Sequence, residues 1–231
     1  MMPKKRPCSF LSLMRVGVAD GATHPAANLT PVAVLNYAAA TEPADEAFLR
    51  QFNAPIVTVE SAAYREVVGR TQVTHLHRRG HRRMVFAAPE RWDVQRLAQA
   101  RLAGVRQGCA DHELERPQVL VIPCSRDGAR ETIGGLLARH GSWGFCCYND
   151  EIAFAVLAAL ADLGLAVPAA AVIGCDDIPL ARFSVPALTT IAFDQRPIHA
   201  HLVEQILATV AGEPVGPAPA ARVTVIARDS A

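Results

Sequence analysis

Three clusters in the 231-residue chain combine residue types that can do chemistry. The first is Asn149-Asp150, between an apolar run and a helix-forming segment. An Asn or Asp there can accept a backbone N–H as the helix N-cap, or it can hydrogen-bond a polar ligand. Capping is the reading for either residue taken singly. The second is Gly174-Cys175-Asp176-Asp177, again after an apolar run. Neighbouring carboxylates can bind a metal, exchange protons, grip sugar hydroxyls or order a turn. A metal needs more converging ligands than two adjacent Asp, and the residue types alone favour turn ordering. The third is His75-x-His77-x-x-x-His81 with Arg78, Arg79, Arg82 and Arg83. On a helix, residues two apart face different sides, so His75 and His77 do not converge on a zinc ion. His81 falls beyond Gly80, outside the helix. Cations near a helix C-terminus suit its dipole, although a nucleic-acid patch stays open on residue type.

Catalytic signatures are missing from the sequence: it holds no G-x-S-x-G, P-loop, G-x-G-x-x-G or H-E-x-x-H run. We expect no catalytic residue, no metal ligand and no cofactor. The six cysteines are scattered or, at Cys146-Cys147, adjacent. They read as small buried hydrophobes of a reducing cytoplasm rather than a disulfide or zinc framework. The 23 Lys+Arg and 22 Asp+Glu leave a formal charge of +1, which argues against a globally basic nucleic-acid binder. With 51% hydrophobic residues the chain can bury a sizeable core, and 6% aromatics suit a helix-rich α/β protein. No apolar run reaches the roughly 20 residues of a membrane span. Lys4-Lys5-Arg6 before Phe10–Met14 imitates a secretion leader, but Arg15 interrupts the apolar run at once. The expected location is therefore cytoplasmic.

The elements that must position these clusters alternate along the chain. Short apolar strands are expected at Val32–Leu35, Pro55–Val59, Arg83–Ala87, Gln118–Ile122, Gly144–Tyr148, Ala171–Cys175, Leu188–Ile191 and Arg222–Ala227. Helices are expected at Pro43–Gln51, Val67–His77, Asp93–Gly108, Asp127–His140, Asn149–Leu163 and Arg196–Ala211. Strand-helix alternation with continuous apolar strands means a parallel sheet covered on both faces. Ligands of such sheets bind at the carboxyl ends of the strands, which puts Glu60, Asn149-Asp150 and Asp176-Asp177 at the functional edge.

Several runs, in order and spacing over roughly residues 31–228, resemble the effector-binding domain of the lactose-repressor (LacI/GalR) family of bacterial transcription regulators. They are His75-Leu76-His77-Arg78-Arg79-Gly80-His81-Arg82-Arg83-Met84, Arg101-Leu102-Ala103-Gly104, Tyr148-Asn149-Asp150-Glu151-Ile152-Ala153, Val172-Ile173-Gly174-Cys175-Asp176-Asp177 and Pro186-Ala187-Leu188-Thr189-Thr190-Ile191. The resemblance implies a periplasmic-binding-protein-like type I fold, two parallel-sheet lobes that close on a sugar or nucleoside. It further implies that Arg101, Asn149 and Asp176 hydrogen-bond the ligand and that Phe193 lines the cleft. The chemistry fits, because Arg offers a planar donor fork, Asp accepts from two hydroxyls, Asn does both, and a ring covers a sugar face.

Departures from the family pattern shape the remaining expectations. Residues 1–30 read as a loose leader, too short and too Pro/Gly-interrupted for a three-helix DNA reader. The first strand-helix units of the N-terminal lobe are missing from the pattern, and the ligand-facing Asp expected before the Gly69–Leu76 helix is replaced around Tyr64. The expected division is a partial N-terminal lobe of residues 31–64 plus 194–220 and a C-terminal lobe of residues 65–193 plus 221–231. The expected function is sensing a sugar or nucleoside for a LacI-type regulator, through ligand-induced lobe rearrangement in a homodimer. DNA is then reached only through a helix-turn-helix absent from this chain, so the chain alone should not bind an operator. Two other classes remain: a free sugar-binding protein serving a transporter, and an enzyme using Asp176 and Asp177.

Overall fold

In the computed structural model, the described residues are 31–36, 49–58, 62–90, 95–137, 142–165, 169–194, 196–220 and 222–231. The leader, Glu60, most of the Pro43–Gln51 segment and the start of the Asp93–Gly108 segment lie outside them. The elements are β1 (Val34–Asn36), β2 (Ile56–Thr58), α1 (Ala62–Arg78), β3 (Arg83–Pro89), α2 (Gln95–Asp111), β4 (Gln118–Ile122) and α3 (Arg126–Leu137). After them come β5 (Trp143–Cys147), α4 (Asp150–Asp162), β6 (Ala170–Ile173), a 3-10 turn (Pro179–Arg182), β7 (Thr190–Phe193), α5 (Arg196–Ala211) and β8 (Val223–Ile226).

β3, β4, β5 and β6 form one parallel sheet in the order β4-β3-β5-β6. Its strands read as unbroken apolar runs because both faces are covered. Alternate residues then divide between two cores. Val85, Ala87, Phe145, Cys147 and Val172 face Ile133, Val156 and Leu160 of α3 and α4. Met84, Phe86, Cys146, Ala171 and Ile173 face Val68, Val73, Leu76 and Val105 of α1 and α2.

α1 and α2 pack against each other unusually closely. A Cβ on Gly69 would strike the carbonyl of Arg101, and one on Gly104 would strike the carbonyl of Glu66. Gly108 similarly abuts Val73 and Arg70. Three glycines therefore let one helix backbone lie on the other, and this contact sets where Arg101 leaves α2.

β1 and β2 form a separate two-stranded parallel sheet, with α5 beside β2. β7 and β8 pair antiparallel, Thr190 opposite Ile226 and Phe193 opposite Val223. The uniformly parallel expectation fails at this pair. β7 also starts later than the Leu188–Ile191 run suggested. Thr189 only bridges Ile173, while its hydroxyl donates to the carbonyl of Ala231 and Ser230 donates to that of Val172. Side chains and tail thus take hydrogen bonds that a longer strand would have made.

Candidate functional site

The carboxyl ends of β5 and β6 are adjacent, and Tyr148, Asn149 and Gly174–Ile178 follow them directly. Arg101 reaches this edge from α2. It is 7% exposed. One of its terminal nitrogens donates to the carbonyl of Tyr148. The other donates to Asp176 Oδ1 at 3.3 Å. The guanidinium also lies 4.5 Å from the centre of the Tyr148 ring, a cation–π contact. Arg101 Nε is buried without a protein partner among the described residues. The Asp176 side chain is 40% exposed, so the pair has one buried and one open end.

The loop carrying Asp176 is held in an unusual shape. Asp176 has φ +110° and Asp177 φ +47°, in the region where a side chain is strained. Several bonds compensate. The Asp176 N–H donates to the carbonyl of Ile191 at 2.8 Å, which ties the loop to β7. Asp177 pairs with Arg228 at 2.6 Å, and Arg228 also donates to the carbonyl of Leu188. Asp150, fully buried, accepts from the Thr190 hydroxyl at 2.5 Å and from the Ile178 N–H at 2.9 Å. Burial pushes the Asp150 carboxyl up, these two hydrogen bonds pull it down, and the charges of Asp176 and Asp177 push it further up.

The adjacent aspartates therefore have different tasks. Turn ordering falls to Asp177 and, from the neighbouring helix, to Asp150. Asp176 keeps an exposed carboxylate beside a buried guanidinium. Cys175 donates its thiol toward Asp176 at 3.3 Å, and burial raises that thiol well above its ordinary range. Among the described residues, no group of three or more His, Cys, Asp or Glu could hold a metal.

Asn149 is the N-cap of α4. Its Oδ1 accepts from the Ile152 N–H at 3.0 Å, and its Nδ2 lies 3.5 Å from Glu151. The side-chain carbonyl is committed to the helix, and the amide donor is only weakly engaged. Phe193 ends β7, half-buried against the α1/α2 core. Arg101, Asp176 and the backbone just before Asn149 are thus brought together directly. Phe193 stands two residues beyond Ile191, whose carbonyl holds the Asp176 amide.

The histidines diverge. His77 stacks on His112 with ring centres 4.4 Å apart, while His81 Nδ1 lies 2.8 Å from the Ser142 hydroxyl. Burial is the main cause lowering the pKa of both His75 and His81.

Two contributors escaped the sequence reading. Tyr148 enters the sequence reading as a strand end and in the Tyr148–Ala153 run, with no role of its own, yet its carbonyl and ring both hold Arg101. Gln72 is fully buried, and its amide lies against the carbonyls of Cys147 at 2.9 Å and Gly174 at 3.0 Å. It thereby joins the ends of β5 and β6. The signal was available: Val68, Gln72 and Leu76 occupy one helical stripe, and a lone amide there needs buried partners.

Parallel strands with helices on both faces, and polar groups gathered at the carboxyl edge, are the arrangement in which open α/β sheets bind ligands. The periplasmic binding protein-like domain matches residues 73–231. The chain is 33% identical, over 140 residues, to an uncharacterized HTH-type transcriptional regulator of Streptomyces limosus, covering 57% of this chain and 37% of that protein. It is 28% identical over 174 residues to the HTH-type transcriptional regulator MalR of Streptomyces coelicolor, covering 73% and 49%. The chain thus spans half or less of these relatives' length. A LacI family regulator from Enterococcus faecium, solved with bound ribose, superposes with a TM-score of 0.68 at 19% identity, covering 87% of this chain and 79% of that one. The chain belongs to the periplasmic binding protein-like domain family.

Proposed function

We propose that the chain senses a small polyhydroxylated molecule, a sugar or nucleoside, for a transcription regulator, and that it is not an enzyme. One observation carries this reading: Arg101 is buried and fixed at three points, yet its partner carboxylate, Asp176, is open to solvent. A fixed guanidinium beside an exposed carboxylate is preorganised to take vicinal hydroxyls, one donating to Asp176 and one accepting from Arg101. Asn149 supplies its amide donor, and Phe193 supplies a ring for the apolar face of a sugar. The curated relatives are named as HTH-type transcriptional regulators, and ribose occupies the Enterococcus faecium structure, which supports this ligand class.

In this reading residues 31–64 plus 194–220 are the partial N-terminal lobe, and residues 65–193 plus 221–231 are the C-terminal lobe. The ligand shifts the population between lobe arrangements, and a homodimer passes the shift to DNA-reading segments. The dimer surface has a candidate beside the site. Leu180, Phe183 and Val185 are 61%, 73% and 90% exposed in one short stretch. Such an apolar cluster marks an interaction surface.

Titration calorimetry against pentoses, hexoses, disaccharides and nucleosides tests the ligand class. One member of the panel should bind saturably, and Asp176→Asn should weaken it at least about tenfold by removing a charge-assisted acceptor. Saturable binding left intact in Asp176→Asn would place the ligand elsewhere.

A further inference from the structure

α1 carries Gln72 into the apolar interior next to the effector edge. Its neighbours one turn away on the same stripe, Val68 and Leu76, are fully buried hydrophobics, and Gln72 is as buried as they are. Its Nε2 has two hydrogens to give and donates to the carbonyls of Cys147 at 2.9 Å and Gly174 at 3.0 Å, with that of Ile173 at 3.3 Å. Its Oε1 is buried with no hydrogen-bond partner among the described residues. An unpaired buried acceptor costs stability. Packing alone does not account for an amide here.

The strand register does. The β5-β6 ladder ends at the pair Cys146 and Ile173. Gln72 bonds the next residue of each strand, Cys147 and Gly174, so its side chain holds the strand ends together where the ladder stops. The links beyond it belong to the effector edge. The Asp150 N–H donates to the Cys175 carbonyl at 2.9 Å, and Arg101 spans Tyr148 and Asp176. The same stretch of α1 also fixes the backbone of Arg101, because Gly69, three residues before Gln72, abuts the Arg101 carbonyl. Gln72 on the strand ends, α1 on α2 at Gly69, and Arg101 back on Tyr148 make a closed circuit of contacts.

We propose that Gln72 is the positioning residue of the effector edge. Its amide sets the separation of the β5 and β6 ends, and through it the spacing of the Tyr148 carbonyl, Arg101 and Asp176. That placement is a property of the free chain, and its use by a ligand rests on the effector reading above.

Gln72→Met tests it, because an unbranched, adaptable side chain fills the space and removes both the donor and the unpaired acceptor. In hydrogen exchange of the full chain without ligand, the Asp150 and Asp176 amides should exchange at least about tenfold faster in the variant, as a local opening. The Phe145 amide inside the sheet should be unchanged. Titration with D-ribose and the rest of the sugar and nucleoside panel should give a dissociation constant raised about tenfold for the member that binds wild type, the size of a coupling within one hydrogen-bond network. A purely structural role predicts the reverse: all protected amides exchange faster together, and the folded chain binds as wild type does. A uniform rise in exchange, no rise at Asp150 and Asp176, or unchanged affinity would overturn the proposal. If no member of the panel binds wild type, the effector reading falls, and the exchange pattern alone decides the placement. Gln72→Leu is the second variant. Failure of both to fold would make Gln72 a requirement of the fold itself and would equally overturn its positioning role.

Discussion

At the residue scale, the site rests on unequal use of similar groups. Asp150, Asp176 and Asp177 are all carboxylates at one sheet edge. Asp150 spends both oxygens on Thr190 and Ile178, and Asp177 is paired with Arg228. Only Asp176 keeps an open face. Which aspartate does what was not legible in the sequence, because burial and partners come from β7, the tail and α2. Asp150 also yields a pH prediction. Its folded-state pKa is raised, chiefly by burial, so the native state holds the proton more tightly than the unfolded chain. Stability should therefore fall as pH rises from the ordinary carboxylate value of 3.8 through the raised folded value. The half-buried His75 and the buried His81 act in another window: their lowered pKa values cost stability as pH falls below 6.5. Urea melts of wild type and Asp150→Asn between pH 4 and 7, roughly the span of these ordinary values, separate the two. The variant should lose the low-pH slope and retain the histidine slope. It should also be about 1–3 kcal/mol less stable at low pH, where wild-type Asp150 is itself neutral, through disturbed bonds to Thr190 and Ile178.

At the element scale, the strands were the most legible part. The apolar runs Arg83–Ala87, Gly144–Tyr148 and Ala171–Cys175 lie within two residues of the strands Arg83–Pro89, Trp143–Cys147 and Ala170–Ile173, because buried parallel strands leave no polar alternation. Asn149 was recognisable as a cap from its place between a strand and an apolar-periodic helix. α1 starts at Ala62, five residues before the Val67 suggested by pattern. Its first turn carries no acidic residue that would have marked the start. β7 was misplaced for a tertiary reason, the tail residues that occupy Thr189. Arg101 is positioned by an element contact, the crossing of α1 and α2 at Gly69 and Gly104. Gly104→Ala should push the helices apart, cost about 1–3 kcal/mol by overpacking, and loosen Arg101. Chemical denaturation should show the stability loss, and ligand affinity should drop although no ligand-facing atom is changed. Unchanged affinity in a destabilised Gly104→Ala chain would break the link between this crossing and the site.

At the scale of the whole molecule, in the proposed reading the four-stranded lobe presents one edge to an effector and the exposed apolar cluster of Leu180, Phe183 and Val185 to a second copy. Phe183→Asp should give a monomer by light scattering at concentrations where wild type is a dimer, because a charge in an apolar interface is costly. A wild-type chain that is already monomeric would remove that cluster from the mechanism. In the proposed two-lobe reading the small β1-β2 sheet and α5 belong to the other lobe, and strands of only three residues are expected to make it the less stable half. Ligand closing the two together should therefore stabilise the chain as a unit.

The central claim is that Arg101 and Asp176 form an effector site at the carboxyl edge of the sheet. It is tested most directly by thermal melts of wild type and Arg101→Ala with the sugar and nucleoside panel. Wild type should melt cooperatively, and its midpoint should rise with one ligand class, by mass action and in proportion to the logarithm of concentration. Arg101→Ala should melt cooperatively and show no such rise at the same concentrations. No shift in wild type with any of the panel, or an equal shift in Arg101→Ala, would contradict the account.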